Sequence, residues 1–522
     1  MFKLNDIRFI KGNGGSGREA EGNEHVSALL FFNNNRPVTF PDNVTGGGIH
    51  EIFSPDGAVA LGIDDSLSDE ERAWSEIVVD DIGNSGDTLE IFVNEWRGQV
   101  SLGVFTQTDE ANVNDLATNL AEFINSGTNT HGYTAETDGS SVYITARAGM
   151  GEYLNNMELL NFDVVGSLAV FINNDFQDGV ASRRAVYYYH VQQYFRMKPD
   201  GKLNLAIFDV PDPYDWTEIR KTMVKSLGTT VQIGVWSEEN FALSTLTAIQ
   251  SKVTAIESEY YMVSSVIYTG NIFDGLTLTQ LAGSEYNLAT LTARNVSADI
   301  SQDMNGRGYD LFKSTKKTIG STGAMLGCVS NTLSEDIGNP IDKFNLSDGN
   351  EYEIVGFGEG TTWESAIQSG PTLVDNLNNN RYLFLSKILG FTGSFVSDDH
   401  TAISYTSDYA WIHDNKIINR VIKDARIVLT PFLKAKLRLQ TNGKLTKAQI
   451  LTIQETVGGV IKPLVASTDL AGDPNNFDVT QWVVVDTNQM PNVAGKLTVG
   501  IKLVENGIAH RVDVPIGYVQ SL

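Results

Sequence analysis

Cysteine is almost absent: Cys328 is the only one in 522 residues, which excludes an intrachain disulfide framework and a thiolate metal cluster. Long apolar runs are missing too. None reaches the roughly 18 residues of a membrane span, and Met1-Phe2-Lys3-Leu4-Asn5-Asp6 carries no apolar signal segment. The expectation is a chain made and folded in a cytoplasm, with no membrane insertion. Bases are scarce, 38 Lys and Arg against 64 Asp and Glu, for a net charge of −26. That balance disfavours nucleic acid and anionic membrane as principal partners. What is present, 41% apolar and 20% charged residues, suffices to bury real cores in several domains.

The few bases are unevenly placed. From Asn415 to Lys447 there are nine (Lys416, Arg420, Lys423, Arg426, Lys434, Lys436, Arg438, Lys444, Lys447) and one acid, Asp424. This block carries +8 against −26 for the whole chain, so the remainder carries −34. Such segregation points to a face that meets an acidic surface; ordinary solvated lysines are the plainer alternative.

Near the start, Gly12-x-Gly14-x-x-Gly17 follows a strand-like run, Lys3–Ile10. A dinucleotide fingerprint needs a helix opening at the third glycine, so that its free N–H groups face the pyrophosphate. Here Arg18-Glu19-Ala20-Glu21-Gly22-Asn23-Glu24 follows, with three acids and no helical apolar period. Residues 1–24 read instead as a short strand, with Leu4, Ile7 and Phe9 as its apolar positions, on a flexible tether, Lys11–Glu24. Those 14 tether residues extend to about 46 Å. No cofactor is implied.

The rest divides by pattern into an α/β and α+β multidomain chain. Residues 25–81 open a core domain, with Val26–Phe32 apolar enough for a buried strand and Ser68-x-x-Glu71 spelling a capping box for a short helix through Trp74 and Ile77. Residues 82–174 read as an inserted α+β module: strand Thr88–Val93, helix Val113–Ile124, strands Tyr133–Ala135 and Ser141–Ala146, and a closing run Leu168–Ile172. Residues 175–375 hold a βαβαβ unit. Its strands are Leu203–Val210, Val231–Trp236 and Met262–Tyr268. Its helices are one capped by Asp215 and one over Asn240–Tyr260 with Leu246, Ile249, Val253 and Ile256 on one face. That order predicts a parallel sheet. The first crossover, Asp209-Val210-Pro211-Asp212-Pro213, has no glycine to wrap a phosphate, so the unit reads as scaffold. Ile319–Val329 reads as a small-residue helix and Glu351–Phe357 as a strand.

At the other end, residues 495–522, Leu497, Val499, Ile501 and Leu503 alternate with Lys496, Thr498, Gly500 and Lys502. Glu505-Asn506-Gly507 supplies a turn, and Ile508, His510, Val512 and Val514 alternate after it. Amphipathic strands here leave an edge that either its own domain or a foreign strand must cover.

Residues 381–433 contain Asp398-Asp399-His400, which invites a metal or hydrolytic reading, with Ser397 as a nucleophile. Neighbours on a strand point to opposite faces, so Asp399 and His400 do not converge without a special turn. The next histidine, His413, is 13 residues on. No catalytic, cofactor or metal residue is assigned. After His413 a helix from about Asn415 has an apolar face of Ile417, Ile418, Val421, Ile422, Ala425, Val428 and Leu429, with Lys416, Arg420 and Lys423 along the other. Asp414 can cap it and Pro431 ends it.

The longer pattern, "GFTGSFVSDDHTA", then "SDYAWI", then the basic-apolar helix ending in "LTPFL", resembles the C-terminal domain of contractile-tail sheath proteins of phages and related injection particles. The match in order and spacing runs from Arg381 to the end; residues 186–380 agree in layout only. The resemblance implies a non-enzymatic structural subunit without cofactor. Residues 376–494 would form the sheath domain facing the inner tube, 82–174 an outward insertion, and 1–24 and 495–522 strand arms exchanged between subunits. It further implies homo-oligomeric stacked rings, six-fold by implication, assembled in the host cytoplasm into a virion tail. The partners would be the tail tube, baseplate and tail terminator proteins. Lys416, Arg420 and Lys423 would then grip an acidic tube wall. A tube or surface-layer subunit, or an α/β hydrolase using Asp399 and His400, are the rival readings.

Overall fold

The computed structural model describes residues 26–32, 37, 40, 49–158, 160–208, 232–260 and 264–508. The arm residues Leu4, Ile7, Phe9, Val512 and Val514, the glycine motif, the crossover after Phe208 and the helix capped by Asp215 lie outside them.

Val26–Phe32 has no polar residue after Ser27 and is buried along its whole length. A strand covered on both faces must sit inside a sheet with helices above and below, and it is an interior strand of a seven-stranded sheet. The order is Tyr382–Leu383, Val296–Asp299, Ser265–Asn271, Gln232–Asn240, Val26–Phe32, Lys202–Phe208, His50–Ile52. All neighbours are parallel except His50–Ile52, which pairs antiparallel at one edge. The fold is mixed α/β. Alternate residues of Val26–Phe32 serve two cores. Leu29 and Phe31 pack with the helices Arg183–Met197 and Thr322–Ser330; Ala28, Leu30 and Phe32 pack with Leu246, Ile249 and Val253 of the helix Leu243–Tyr260.

The Thr322–Ser330 helix is buried at every position because it is built of small residues. A Cβ at Gly323 would stand 2.2 Å from His190 O, and one at Gly327 2.7 Å from Tyr194 O. Two helix backbones touch there, and only glycine permits it.

The stretch expected as a helix through Trp74 and Ile77 is a strand, Trp74–Asp81. Ile77-Val78-Val79 is β-branched throughout, and the strand is paired on both sides, with Ser141–Thr145 and Ala169–Gln177. The acids before it serve other elements: Asp69 accepts from the backbone N–H groups of Arg183 and Arg184 at 3.1 and 3.2 Å, capping a helix more than 100 residues away. The compact unit thus takes in a central strand upstream of residue 82 and runs on through Gln177. It has a four-stranded and a three-stranded antiparallel sheet and the helix Val113–Ser126, capped by Asn112. Its apolar core is separate from the two that flank the main sheet.

After the sheet's edge strand Tyr382–Leu383, the chain makes a small hairpin, Leu385–Ser386 with Phe395–Val396, and enters the helix Ile412–Leu429. That helix packs on Lys447–Ala466, joining Ile417 and Val421 to Val457, Ile461 and Leu464. Among the described residues no helix is long and apolar enough to cross a membrane.

Candidate functional site

The segment that carried the resemblance forms a buried polar joint between the main sheet and the C-terminal helices. It begins at Arg381, the residue after the helix Pro371–Asn379 and its C-cap Asn380, with φ +74°. A side chain in that left-handed region costs about 1 kcal/mol or more. Its guanidinium offsets the strain: Nε donates to Thr401 O at 3.3 Å, Nη2 donates to Ala410 O, and the group lies 4.4 Å from the centre of the Trp411 ring. Burial lowers its pKa to about 10, with Asp398 and Asp399 acting the other way.

Asp399 is fully buried. Its backbone O accepts from Ile412 N at 2.8 Å, and its carboxylate Oδ2 accepts from His413 N at 3.0 Å. The first turn of the helix Ile412–Leu429 is therefore satisfied by Asp399. Asp414, expected as the cap, sits inside the first turn, and the side chain of Trp411 at the N-cap does not cap the helix. Asp399 Oδ2 is also 2.5 Å from His413 Nδ1. Burial alone would lower the His413 pKa, but Asp399 outweighs it and the imidazole is pushed up to about 9.

Asp336, from the loop after Thr322–Ser330, completes the cluster. Burial, then repulsion from Asp399 and Asp398, push its carboxyl up to about 8. Oxygens of Asp336, Asp398 and Asp399 lie within 4.8 Å of one another. Three like charges so close and so buried cannot all ionise. Arg381 and His413 are the cations that face the cluster, and Asp414 Oδ1 adds a further carboxylate 3.5 Å from His413 Nε2.

Asp399 and His400 do not meet, as their adjacency on an extended chain requires. His400 Nε2 instead lies 3.0 Å from Asn378 Oδ1, and the ring packs 5.1 Å from Trp411. Asp399, His400 and His413 are each no more than 5% exposed. Sequence reasoning missed Asp336, Arg381 and the Asp399–His413 contact. The only available signal was a histidine in the first turn of a helix whose N-terminus needed an acceptor.

The tube-facing stripe is corrected. Lys416 is buried, and its Nζ donates to the carbonyls of Val329 and Thr332 at the C-terminal end of Thr322–Ser330; lysine there satisfies orphan carbonyls and opposes the helix dipole. Arg420 is buried as well, and Lys423 is half-buried. The amphipathic pattern identified one packed face, but this helix is covered on two. The exposed bases of the block lie downstream, at Lys434, Lys436, Arg438 and Lys447.

The C-terminal arm is corrected in part. Gly500–Ile501 pairs antiparallel with Val483–Val484 of the same chain. Lys502 N donates to Trp482 O at 2.8 Å and Ala471 N to Val504 O at 3.0 Å. Leu497, Val499, Ile501 and Leu503 pack on the C-terminal helical core, because that core offers an unpaired edge within reach. Ile508 is exposed.

No protein-family model matches the chain, and a search among curated proteins finds no match.

Proposed function

We propose that this chain is a structural subunit of a contractile tail sheath, polymerising around an inner tube and contracting by rigid-body rearrangement. One observation carries the reading: the residues of the resembling stretch form a buried polar joint that fixes the C-terminal helices to the edge of the main sheet. Such a joint is suited to transmitting force between bodies. The exposed bases at Lys434, Lys436, Arg438 and Lys447, on a chain otherwise strongly acidic, are the surface suited to an acidic tube wall. Each exposed pair is worth about 0–1 kcal/mol, so a few per subunit hold the extended state and still release together.

In this reading the exchanged strands are drawn from residues 1–24, with Leu4, Ile7 and Phe9, and from 509–522, with Val512 and Val514. The home-paired segment Gly500–Ile501 then offers its free edge as the acceptor. An open helical array requires heterologous contacts of this kind. Negative-stain microscopy of the purified chain at high concentration, alone and with its tube protein, tests the proposal. Stacked rings or hollow tubes are expected; a monodisperse monomer under all conditions would refute it.

A further inference from the structure

Asp399 uses its two oxygens unequally. Oδ2 takes both the His413 backbone N–H and His413 Nδ1. Oδ1, buried in the same joint, has no hydrogen-bond partner among the described residues. A buried carboxylate oxygen is costly unless a donor or a cation meets it. The Arg381 guanidinium does not supply one, since it donates to Thr401 O and Ala410 O.

The carboxylates beside Asp399 are drawn close. One oxygen each of Asp336, Asp398 and Asp399 lies within 4.8 Å of the other two, which is the span of two calcium–oxygen bonds of about 2.3–2.6 Å each. A single ion can therefore touch all three. A backbone N–H fixes each of them: Gly338 N donates to Asp336 Oδ1 at 2.6 Å, Asp399 N to Asp398 Oδ1 at 3.1 Å, and His413 N to Asp399 Oδ2 at 3.0 Å. The ligand set is thus oriented by the chain itself.

Charge points the same way. When ionised, Asp336, Asp398, Asp399 and Asp414 carry four negative charges, and Arg381 and His413 carry two positive ones. The excess of these groups is two, which one divalent cation matches. Carboxylate oxygens without thiolate select a hard cation. Calcium suits the site better than magnesium, which keeps several waters that a ligand set built on a fully buried Asp399 leaves little room for. Asp336 and Asp398, 8% and 7% exposed, give the cluster an edge toward solvent.

We propose that Asp336, Asp398 and Asp399 bind one calcium-type divalent cation, which fastens the loop after Thr322–Ser330 to the start of the helix Ile412–Leu429. Around that ion all three carboxylates can ionise. Without it a proton on Asp336 relieves the same repulsion, so proton and cation compete for one place. The site is independent of the sheath reading: calcium binding by a chain that forms no tubes would leave it standing, and tubes from a chain that binds no calcium would remove it alone.

Terbium accepts calcium's oxygen ligands and emits when a nearby indole is excited. Trp411, whose ring packs against Arg381 and His400, stands beside the cluster. The full chain, stripped with EDTA and titrated with terbium at physiological salt, should show indole-sensitised emission that calcium displaces. Its melting temperature should rise with millimolar calcium. Asp336→Asn and Asp398→Asn leave the helix cap in place, and each should weaken binding about tenfold or more and remove most of the calcium-dependent rise. The exposed Asp80→Asn, the same change of charge elsewhere, should do neither. Trp411→Phe keeps the ligands, so it should retain the calcium-dependent rise and lose most of the sensitised emission. No effect of calcium on the parent chain overturns the proposal. So does an effect that Asp336→Asn and Asp398→Asn leave intact, or emission that Trp411→Phe leaves unchanged, since either places the ion elsewhere.

Discussion

Asp399 Oδ2 lies 2.5 Å from His413 Nδ1 and accepts the His413 backbone N–H as well, so one buried carboxylate both caps the helix Ile412–Leu429 and neutralises its first-turn histidine. Removing one partner of such a pair strands the other in a low-dielectric interior. Asp399→Ala is expected to cost about 3–5 kcal/mol, and Asp399→Asn less, since an amide oxygen can still accept the N–H. Urea unfolding monitored by tryptophan fluorescence measures both. A loss under about 1 kcal/mol for Asp399→Ala would mean that the joint does not hold the two bodies together.

The same cluster sets a pH dependence. Folding raises His413 from an ordinary 6.5 to about 9 and Asp336 from 3.8 to about 8. Both groups bind protons more tightly folded than unfolded, so stability falls as pH rises, from about 4 to 8 through Asp336 and from about 6.5 to 9 through His413. The urea midpoint should be lower at about pH 9 than at about pH 6, and Asp336→Asn should flatten the fall below about pH 8. A midpoint that climbs over this range, or an Asp336→Asn profile identical to the parent, contradicts the assignment.

Lys416 and the downstream bases should behave oppositely. Lys416→Met leaves the Val329 and Thr332 carbonyls without their donor and should lower stability by about 1–3 kcal/mol. Replacing Lys434, Lys436 and Arg438 with Glu should change stability little, within about 0.5 kcal/mol per site, yet reduce co-sedimentation with the tube protein. Equal tube binding by the triple variant would remove the basic-surface hypothesis.

This contrast shows where the sequence was legible. Leu246, Ile249, Val253 and Ile256 lie on one face at helical spacing, and the structure buries all four. Local periodicity sufficed because one face met one sheet. Around Lys416 the helix is enclosed from two sides, by Lys447–Ala466 and by the end of Thr322–Ser330, and a lysine in a buried wall looks the same in sequence as one in water. Trp74–Asp81 was misread because Ser68-x-x-Glu71 has the letters of a capping box, while the partners that make it a strand lie at 141–145 and 169–177. Placing Val26–Phe32 between Lys202–Phe208 and Gln232–Asn240 is equally non-local. Arg381 and Asp336 could not be tied to Asp399 from spacing alone, since the chain brings them in from separate elements.

Glycine supplies a paired test of packing. Gly323→Ala would put a methyl 2.2 Å from His190 O, whereas a Cβ at Gly459 meets nothing within 4 Å. Both lie in helices, Thr322–Ser330 and Lys447–Ala466. Gly323→Ala should destabilise by about 1–3 kcal/mol through overpacking. Gly459→Ala should stabilise by roughly 0.5–1 kcal/mol, since alanine gives up less backbone entropy. Thermal melts of the two variants decide it; destabilisation by both would indicate that Gly459 is covered in the assembled state.

The home pairing of Gly500–Ile501 divides the terminal segments into two experiments. Residues 497–505 are bonded into the C-terminal core, so truncation before Leu497 removes packing from that core and should lower stability along with any assembly. Truncation after Ile508 removes none of these contacts. Far-UV circular dichroism and melting temperature should stay near those of the full chain, while tubes are lost if a foreign subunit needs that strand. Deleting residues 1–24 should have the same signature. Tubes of normal length from both shortened chains would show that subunits associate without strand exchange, and rigid surface contacts would then have to carry the assembly.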